Sequence, residues 1–333
     1  MDKNDLVLIT AVNGYISSHV ADQALATGYR VRGVVRRLDT TSWLQDHFDA
    51  KYGAGRFERV EIANYAKEGA LDQHLQGVAG IIHTAVDSAL TGEPEPYITN
   101  AAKSIVGVLE SASKSSVKRV VYTSSSMAAV EWKIDVEWDM PMDGYNDRAI
   151  KEAYTEPFDQ TKIWTVYAAA KAVAEKAAWK WIAENSPKFG FNAVLPDANF
   201  GPSLVPIHQG LPSTGGWPKM LFDGNPDFVL TTPSQHFIDV RDDAKLHVMA
   251  LKRKDVENER LWGFAEPYSW NSVLAILRRL YPERKFLDDF PGLGEDLGHP
   301  PNQRAEELLK LSGQERGWTP LEQSLRDALA SVV

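Results

Sequence analysis

The sequence predicts a doubly wound α/β fold, a mostly parallel sheet with helices on both faces, and a smaller carboxyl-side domain closing over the strand ends. Two observations lead there. Leu6-Val7-Leu8-Ile9, Val31 to Val35 and Gly80-Ile81-Ile82-His83 are short apolar runs of the kind expected from strands buried on both faces. Helix-length segments alternate with such runs through the first half of the chain, which is the pattern of a parallel sheet.

Taken in order, Leu6–Ile9 is the first strand. Thr10-Ala11-Val12-Asn13-Gly14-Tyr15-Ile16-Ser17-Ser18 then turns into an amphipathic helix that runs to about Thr27 and is stopped by Gly28, and Val31 to Val35 is the second strand. Strand, tight turn, helix and strand open a dinucleotide-binding unit, with a helix amino terminus aimed at the place of a pyrophosphate. Aligned to Gly-x-x-Gly-x-x-Gly, the turn reads Ala11, Gly14, Ser17. Alanine at the first position adds a methyl where the chain bends and a ligand comes close, and serine at the third mainly perturbs helix packing. The alternative is a plain strand-to-helix turn without a ligand. Arg36 and Arg37 follow the second strand, where an NAD-binding unit carries an acid for the ribose hydroxyl. Arginine there suits a 2′-phosphate and favours NADP; the alternative is a solvated loop end.

Phe57 to Ile62 reads as the third strand, Ala70 to Leu75 as a short helix and Gly80 to His83 as the fourth strand, with His83 a packed structural residue. A helix from Tyr97 to Ala112 leads to a fifth strand, Arg119 to Thr123, followed by Ser124, Ser125 and Ser126. Hydroxyls at the carboxyl end of a parallel strand lie where open sheets bind ligands, unless they only satisfy a serine-rich turn. Residues 131–160 show no period and read as a loop over the site. Asn192 to Leu195 is a sixth strand, and Pro196 to Pro233, rich in proline and glycine, is mostly irregular. Phe237 to Asp243 suggests a short strand entering a helix to Leu251. The tail has a strand near Leu261 to Phe264, a helix from Trp270 to Leu280, and a last helix opened by Thr319-Pro320-Leu321-Glu322, which reads as a capping box with proline at the first helical position.

Between the fifth and sixth strands lies an alanine-rich helix, running to about Glu184, that carries Tyr167 and Lys171 near its start. Four residues apart, they share a helix face. An ammonium beside a phenol favours the phenolate, so the pair is expected to lower the tyrosine pKa and let it act as a general acid towards a carbonyl.

A formal net charge of −9 over 333 residues argues against nucleic acid or an anionic membrane as the main partner and leaves a small molecule. The lack of cysteine excludes disulfides, thiolate metal sites and a cysteine nucleophile. No metal site is expected. The amino terminus has no signal-peptide layout and no stretch approaches the ~20 apolar residues of a membrane span, so the expected location is cytoplasmic.

With these pieces placed, the chain resembles the extended short-chain dehydrogenase/reductases, in particular the fungal NADPH-dependent aldehyde and ketone reductases related to dihydroflavonol reductase. The resemblance runs nearly end to end. It rests on the opening strand-turn-helix, Val31-Arg32-Gly33-Val34-Val35-Arg36, Ile81-Ile82-His83, Val120 to Ser125, Tyr167 to Lys171 with Ala174-Glu175-Lys176, Leu195-Pro196 with Phe200-Gly201-Pro202, and Phe237 to Asp242. It implies a Rossmann-type fold and a triad of Ser125, Tyr167 and Lys171. Tyr167 would protonate the carbonyl oxygen, Lys171 would lower its pKa and hold the nicotinamide ribose, and Ser125 would hydrogen-bond the same oxygen. The implied NADP(H) site comprises Ala11, Asn13, Gly14, Tyr15, Ile16, Arg36, Asn64, Tyr65, Thr84, Ala85, Thr123, Lys171, Pro196 and Asn199. Met127, Trp132, Trp164, Phe200 and Trp217 are candidate walls of the substrate pocket.

Departures from the family pattern gather on the cofactor side: Ala11, Ser17, Asn64 in place of an aspartate, and Ala85-Val86-Asp87 in place of Ala-Ser-Pro. They put NADPH binding in question. Residues 1–195 with about 234–252 are expected to form the dinucleotide-binding domain, and 196–233 with 253–333 the substrate-binding domain, in a monomer or homodimer. Three functions follow: an NADPH-dependent reductase of an aldehyde or ketone; a cofactor-independent isomerase, cyclase or lyase using Tyr167 as acid or base; and a nucleotide-sensing binding protein.

Overall fold

The structure, a computed structural model, describes residues 1–86 and 90–332, with Leu230 described by its backbone alone. Asp87 lies outside the described residues.

Twelve strands occur among the described residues: β1 Leu6–Ile9, β2 Arg30–Val35, β3 Phe57–Glu61, β4 Val78–His83, β5 Arg119–Thr123, β6 Trp138–Asp139, β7 Gly190–Pro196, β8 Ala198–Phe200, β9 Gln235–Asp239, β10 Arg260–Gly263, β11 Glu266–Tyr268 and β12 Gly298–His299. The α-helices are α1 Tyr15–Thr27, α2 Ser42–Tyr52, α3 Tyr97–Ser113, α4 Ser126–Ala129, α5 Asp147–Ala153, α6 Ile163–Asn185, α7 Pro206–Gln209, α8 Trp217–Phe222, α9 Val240–Lys252, α10 Trp270–Leu280, α11 Gln303–Leu311 and α12 Leu321–Ala330.

Seven strands form one sheet in the order β10-β7-β5-β4-β1-β2-β3, with every neighbouring pair parallel. The order reverses between β1 and β4, and ligands of open α/β sheets bind above the strand ends at such a point. On one face α1, α2, α9 and α11 bury Val20, Leu44, Phe48, Leu246 and Leu308 against the sheet. On the other, α3 and α6 bury Ile105, Val108, Leu109, Ala174 and Ala178. Helix α6 is alanine-rich because it is enclosed: Val166, Ala168, Ala169, Ala170, Ala172, Ala174 and Ala178 are all buried, and small side chains let its neighbours come close.

Above the strand ends, β11, β9 and β8 form a three-stranded sheet. With α8, α10 and α12 it encloses an aromatic core containing Phe200, Phe222, Phe237, Tyr268 and Trp270. The two-stranded β6-β12 ladder joins the 131–160 segment to the tail.

Several expectations change. The 131–160 segment contains a helix, α5, capped by Asn146, whose side chain accepts from the Ala149 N–H at 3.0 Å. Helix α2 had no strong signal because Leu44 and Phe48 are its only buried residues. The helix expected over Ala70 to Leu75 is a single 3-10 turn at Asp72–His74. No capping box opens α12: Thr319 instead donates to Asp242 through its N–H at 2.7 Å and its hydroxyl at 3.0 Å. Within 253–333, β10 is the edge strand of the central sheet, and Ala305, Leu308 and Leu309 of α11 share the apolar cluster of β1 and α1. Part of the tail therefore packs with the large sheet. No helix among the described residues is long and apolar enough to cross a membrane.

Candidate active site

A cavity of about 690 Å³ lies over the carboxyl ends of β1, β5 and β7. A second of about 360 Å³ adjoins it and shares Arg36, Val86, Tyr167 and Lys171 with the first. The tyrosine-lysine pair thus stands on the wall between them.

Lys171 is buried on α6, and its Nζ donates to the Thr123 carbonyl at 2.9 Å. Burial pushes its pKa down to about 8 against the opposing pull of the Glu175 carboxylate. Tyr167 departs from expectation: its phenol is raised above the ordinary value, because burial outweighs the hydrogen bond from the Ser125 side chain. The expected acidification by Lys171 is not found; the ammonium is turned to the Thr123 carbonyl and lies 5.3 Å from the centre of the Tyr122 ring.

The three serines separate by their partners. Ser124 Oγ donates to Glu175 Oε2 at 2.5 Å, and Ser126 Oγ to Asp197 Oδ1 at 2.9 Å. Ser125 caps α4, accepting from the Met127 N–H at 3.2 Å, and its side chain is the one of the three that acts on the Tyr167 phenol. Of the three, it is Ser125 that faces the phenol.

Ala11, Asn13, Gly14, Tyr15, Ile16, Arg36, Thr84, Thr123, Lys171, Pro196 and Asn199 all line the larger cavity, and Asn64, Tyr65 and Ala85 line the smaller. Ala11 holds φ at 49°, the left-handed conformation a glycine would take. Its carbonyl accepts from the Gly14 N–H at 2.8 Å and from Ser17 Oγ at 2.5 Å, so Ser17 ties the turn together. A Cβ on Gly14 would come within 2.9 Å of Ser17 Oγ, which explains glycine at the middle position. Among the described residues no side chain caps the first turn of α1, and Gly14, Tyr15, Ile16 and Ser17 of that turn line the cavity. Arg36 reaches both cavities, while Arg37 pairs with Asp39 at 2.6 Å. The Tyr65 hydroxyl, raised to about 12 by burial, accepts from the Ala11 N–H at 3.0 Å. Tyr15 serves partly as a strut, donating to the Gly201 carbonyl at 2.6 Å. An uncapped helix terminus, a left-handed first turn residue and arginine at the end of β2 fit a phosphorylated dinucleotide.

Met127, Trp132, Trp164 and Trp217 line the larger cavity. Trp164 stands edge-on to Tyr167 at 6.3 Å and to Trp217 at 6.1 Å. Phe200 is a correction. It is fully buried, stacked on Phe237 at 5.9 Å and edge-on to Tyr268 at 5.0 Å, and lines neither cavity. Successive residues of a strand point to opposite faces, so β8 turns Asn199 to the cavity and Phe200 to the core. His83 is buried between the hydroxyls of Thr10 at 3.1 Å and Ser104 at 3.2 Å.

Two acidic residues at the site were given no role from the sequence. Asp197 lines the cavity and is raised to about 8 by burial, with Asp296 acting in the same direction. Glu175 lies fully buried beneath the triad. Their sequence signal was position alone: Asp197 directly follows a parallel strand, β7, and Glu175 follows Lys171 by one helical turn. No group of three or more acidic or histidine side chains suited to a metal occurs among the described residues.

The model of the NAD dependent epimerase/dehydratase family matches residues 7–262. The chain belongs to this family. The resemblance to extended short-chain dehydrogenase/reductases holds, and so does the Rossmann-type fold. Within the family, the chain is 38% identical to aldehyde reductase 2 of Sporidiobolus salmonicolor over 99% of this chain and 97% of that one. It is 36% identical to ketoreductase adrE of Penicillium rubens over 97% and 95%. The crystal structure of Gre2 from Candida albicans, in complex with NADPH, shares the fold with a TM-score of 0.83, at 24% identity over 98% of both chains.

Proposed function

We propose that the protein is an NADPH-dependent reductase of an aldehyde or ketone. The observation that carries this reading is the meeting of Ser125, Tyr167 and Lys171 on the wall of a cavity that also reaches the uncapped start of α1. The names of the aldehyde and keto reductases to which the chain is 38% and 36% identical support it. NADPH, when bound, supplies the hydride.

In this reading the substrate oxygen sits between the hydroxyls of Tyr167 and Ser125. A phenol held above its ordinary pKa stays protonated at neutral pH, so Tyr167 serves as the proton donor and Ser125 stabilises the developing oxyanion by hydrogen bonding. Lys171, charged below about pH 8, supplies positive potential beside them. Arg36 would take the 2′-phosphate, and the first turn of α1 with Asn13 and Gly14 the pyrophosphate. Trp132, Trp164 and Trp217 with Met127 would exclude water from the reacting carbonyl. We assign 1–195, about 234–252, β10 and α11 to cofactor binding and 196–233 with the remaining tail to the substrate.

The test is a titration with NADPH followed by nicotinamide fluorescence, then NADPH oxidation with a panel of aryl and alkyl aldehydes and ketones. Saturable binding and a rate lost by about 10²-fold or more in Tyr167→Phe are expected. Turnover in nucleotide-free protein that Tyr167→Phe abolishes would select the isomerase, cyclase or lyase reading. Cofactor binding with no turnover dependent on Tyr167 would select the sensor.

A further inference from the structure

Beneath the triad lies a buried ion pair that the proposed chemistry does not use. Glu175 is fully buried on α6, one turn beyond Lys171. Its carboxylate accepts from Ser124 Oγ at 2.5 Å, from Trp179 Nε1 at 3.1 Å, and from Arg260 through Nε at 2.7 Å and Nη2 at 3.4 Å. Arg260 comes from β10. Its guanidinium lies 4.5 Å from the centre of the Tyr145 ring, and its Nη1 donates to the carbonyls of Met142 at 2.7 Å and Gly144 at 3.0 Å. One side-chain pair therefore joins the catalytic helix, the end of β5, the edge strand and the segment over the site.

We infer that Glu175, held by Arg260, is a positioning residue for the triad: it sets a counter-charge one helical turn from Lys171 and locks the strand end that carries Ser125 to the helix that carries Tyr167. The registration follows from the Ser124 bond. Ser124 precedes Ser125 in the chain and Glu175 shares α6 with Tyr167, so the bond between them sets the spacing of the two catalytic hydroxyls. The electrostatic role follows from what surrounds Lys171. From α6, Glu175 acts on it and Tyr167 lines the same two cavities; from β5 come the Thr123 carbonyl and the Tyr122 ring; from β4, His83, which burial keeps neutral by lowering its pKa to about 3; and Arg36 lines those cavities too. Of these groups Glu175 is the one carboxylate. Among the described residues no other carboxylate acts on the desolvated ammonium.

A mere structural staple would cost stability when broken and leave the lysine titration alone, which decides the experiment. The full-length protein, isotope-labelled at lysine Cε, is titrated by NMR without cofactor or substrate, with the Lys171 resonance assigned by its loss in Lys171→Arg. Wild type is compared with Glu175→Gln, which is nearly isosteric, and with Glu175→Gln/Arg260→Met, which also removes the cation left unpaired. The wild-type midpoint is expected near 8. In Glu175→Gln it falls by about one pH unit or more, and in the double variant it falls by less, because removal of the Arg260 cation acts in the opposite direction. A midpoint unchanged in folded Glu175→Gln overturns the inference; should that variant not fold, an unchanged midpoint in the double variant does so. The kinetic arm alone rests on the reductase reading: the alkaline limb of kcat/KM for benzaldehyde with NADPH should move by the same amount as the midpoint. A shifted midpoint in a protein that never oxidises NADPH sinks the reductase reading and leaves this inference standing.

Discussion

Burying a lysine at the catalytic centre makes the fold's stability depend on pH in a direction that can be worked out. Lys171 releases its proton near pH 8 in the folded protein, against an ordinary value of 10.5. Between these values the unfolded chain binds more protons than the folded one, so stability rises with pH across the window, by up to about 1.4 kcal/mol per pH unit. Below pH 8 the ammonium is charged in both states and its burial costs about 3 kcal/mol. Lys171→Met removes this dependence. It also removes the bond to the Thr123 carbonyl, an offset of about 1–3 kcal/mol that does not vary with pH. The test is therefore the slope. Urea unfolding of both proteins should show wild type gaining about 2 kcal/mol on Lys171→Met between about pH 7 and about pH 9.5. Because all other titrating groups are shared, their contributions cancel in the comparison. A difference that stays flat across that range, or moves the other way, would refute the claim that a buried charged lysine stands behind Tyr167.

Ser125→Ala should lower kcat/KM for a reducible aldehyde by about 10²–10³-fold with little loss of stability, whereas Ser126→Ala removes the hydroxyl bonded to the buried Asp197 side chain and should lower unfolding free energy by about 1–3 kcal/mol without a comparable catalytic loss. Equal catalytic losses in the two variants would contradict the assignment. Ala11→Gly relieves a left-handed alanine and should raise stability by up to about 1 kcal/mol without weakening NADPH binding; weaker fluorescence binding would show that the Ala11 methyl is part of the site. Phe200→Ala should cost about 3–5 kcal/mol of stability while KM of the folded enzyme stays unchanged, and Trp217→Ala should change KM instead. A KM shift in Phe200→Ala would return that ring to the pocket.

Much of the fold could be read locally. Runs such as Leu6-Val7-Leu8-Ile9 are apolar at every position because both faces of their strands are covered, and Gly28 ends α1 at φ 102° as a left-handed glycine cap does. The four-residue spacing of Tyr167 and Lys171 was enough to put them on one helix face. Helices α2 and α5 escaped because each buries only two residues, too few to make a period visible. The site was legible as a set of residues and illegible as an arrangement. Ser124, Ser125 and Ser126 are equivalent in sequence; partners 51 and 71 residues away, Glu175 and Asp197, claim the outer two and leave the middle one to Tyr167. Asn199 and Phe200 are neighbours whose directions became known only when one face of β8 met the cavity and the other the aromatic core. The tyrosine's pKa moves opposite to what its spacing from lysine suggests, because burial depends on everything packed around the phenol and sequence spacing reports only what lies one turn away. Periodicity and turn chemistry act over a few residues and so belong to the sequence alone. Desolvation, and the choice of partner for each hydroxyl and carboxylate, are set by segments that meet only when the chain has folded.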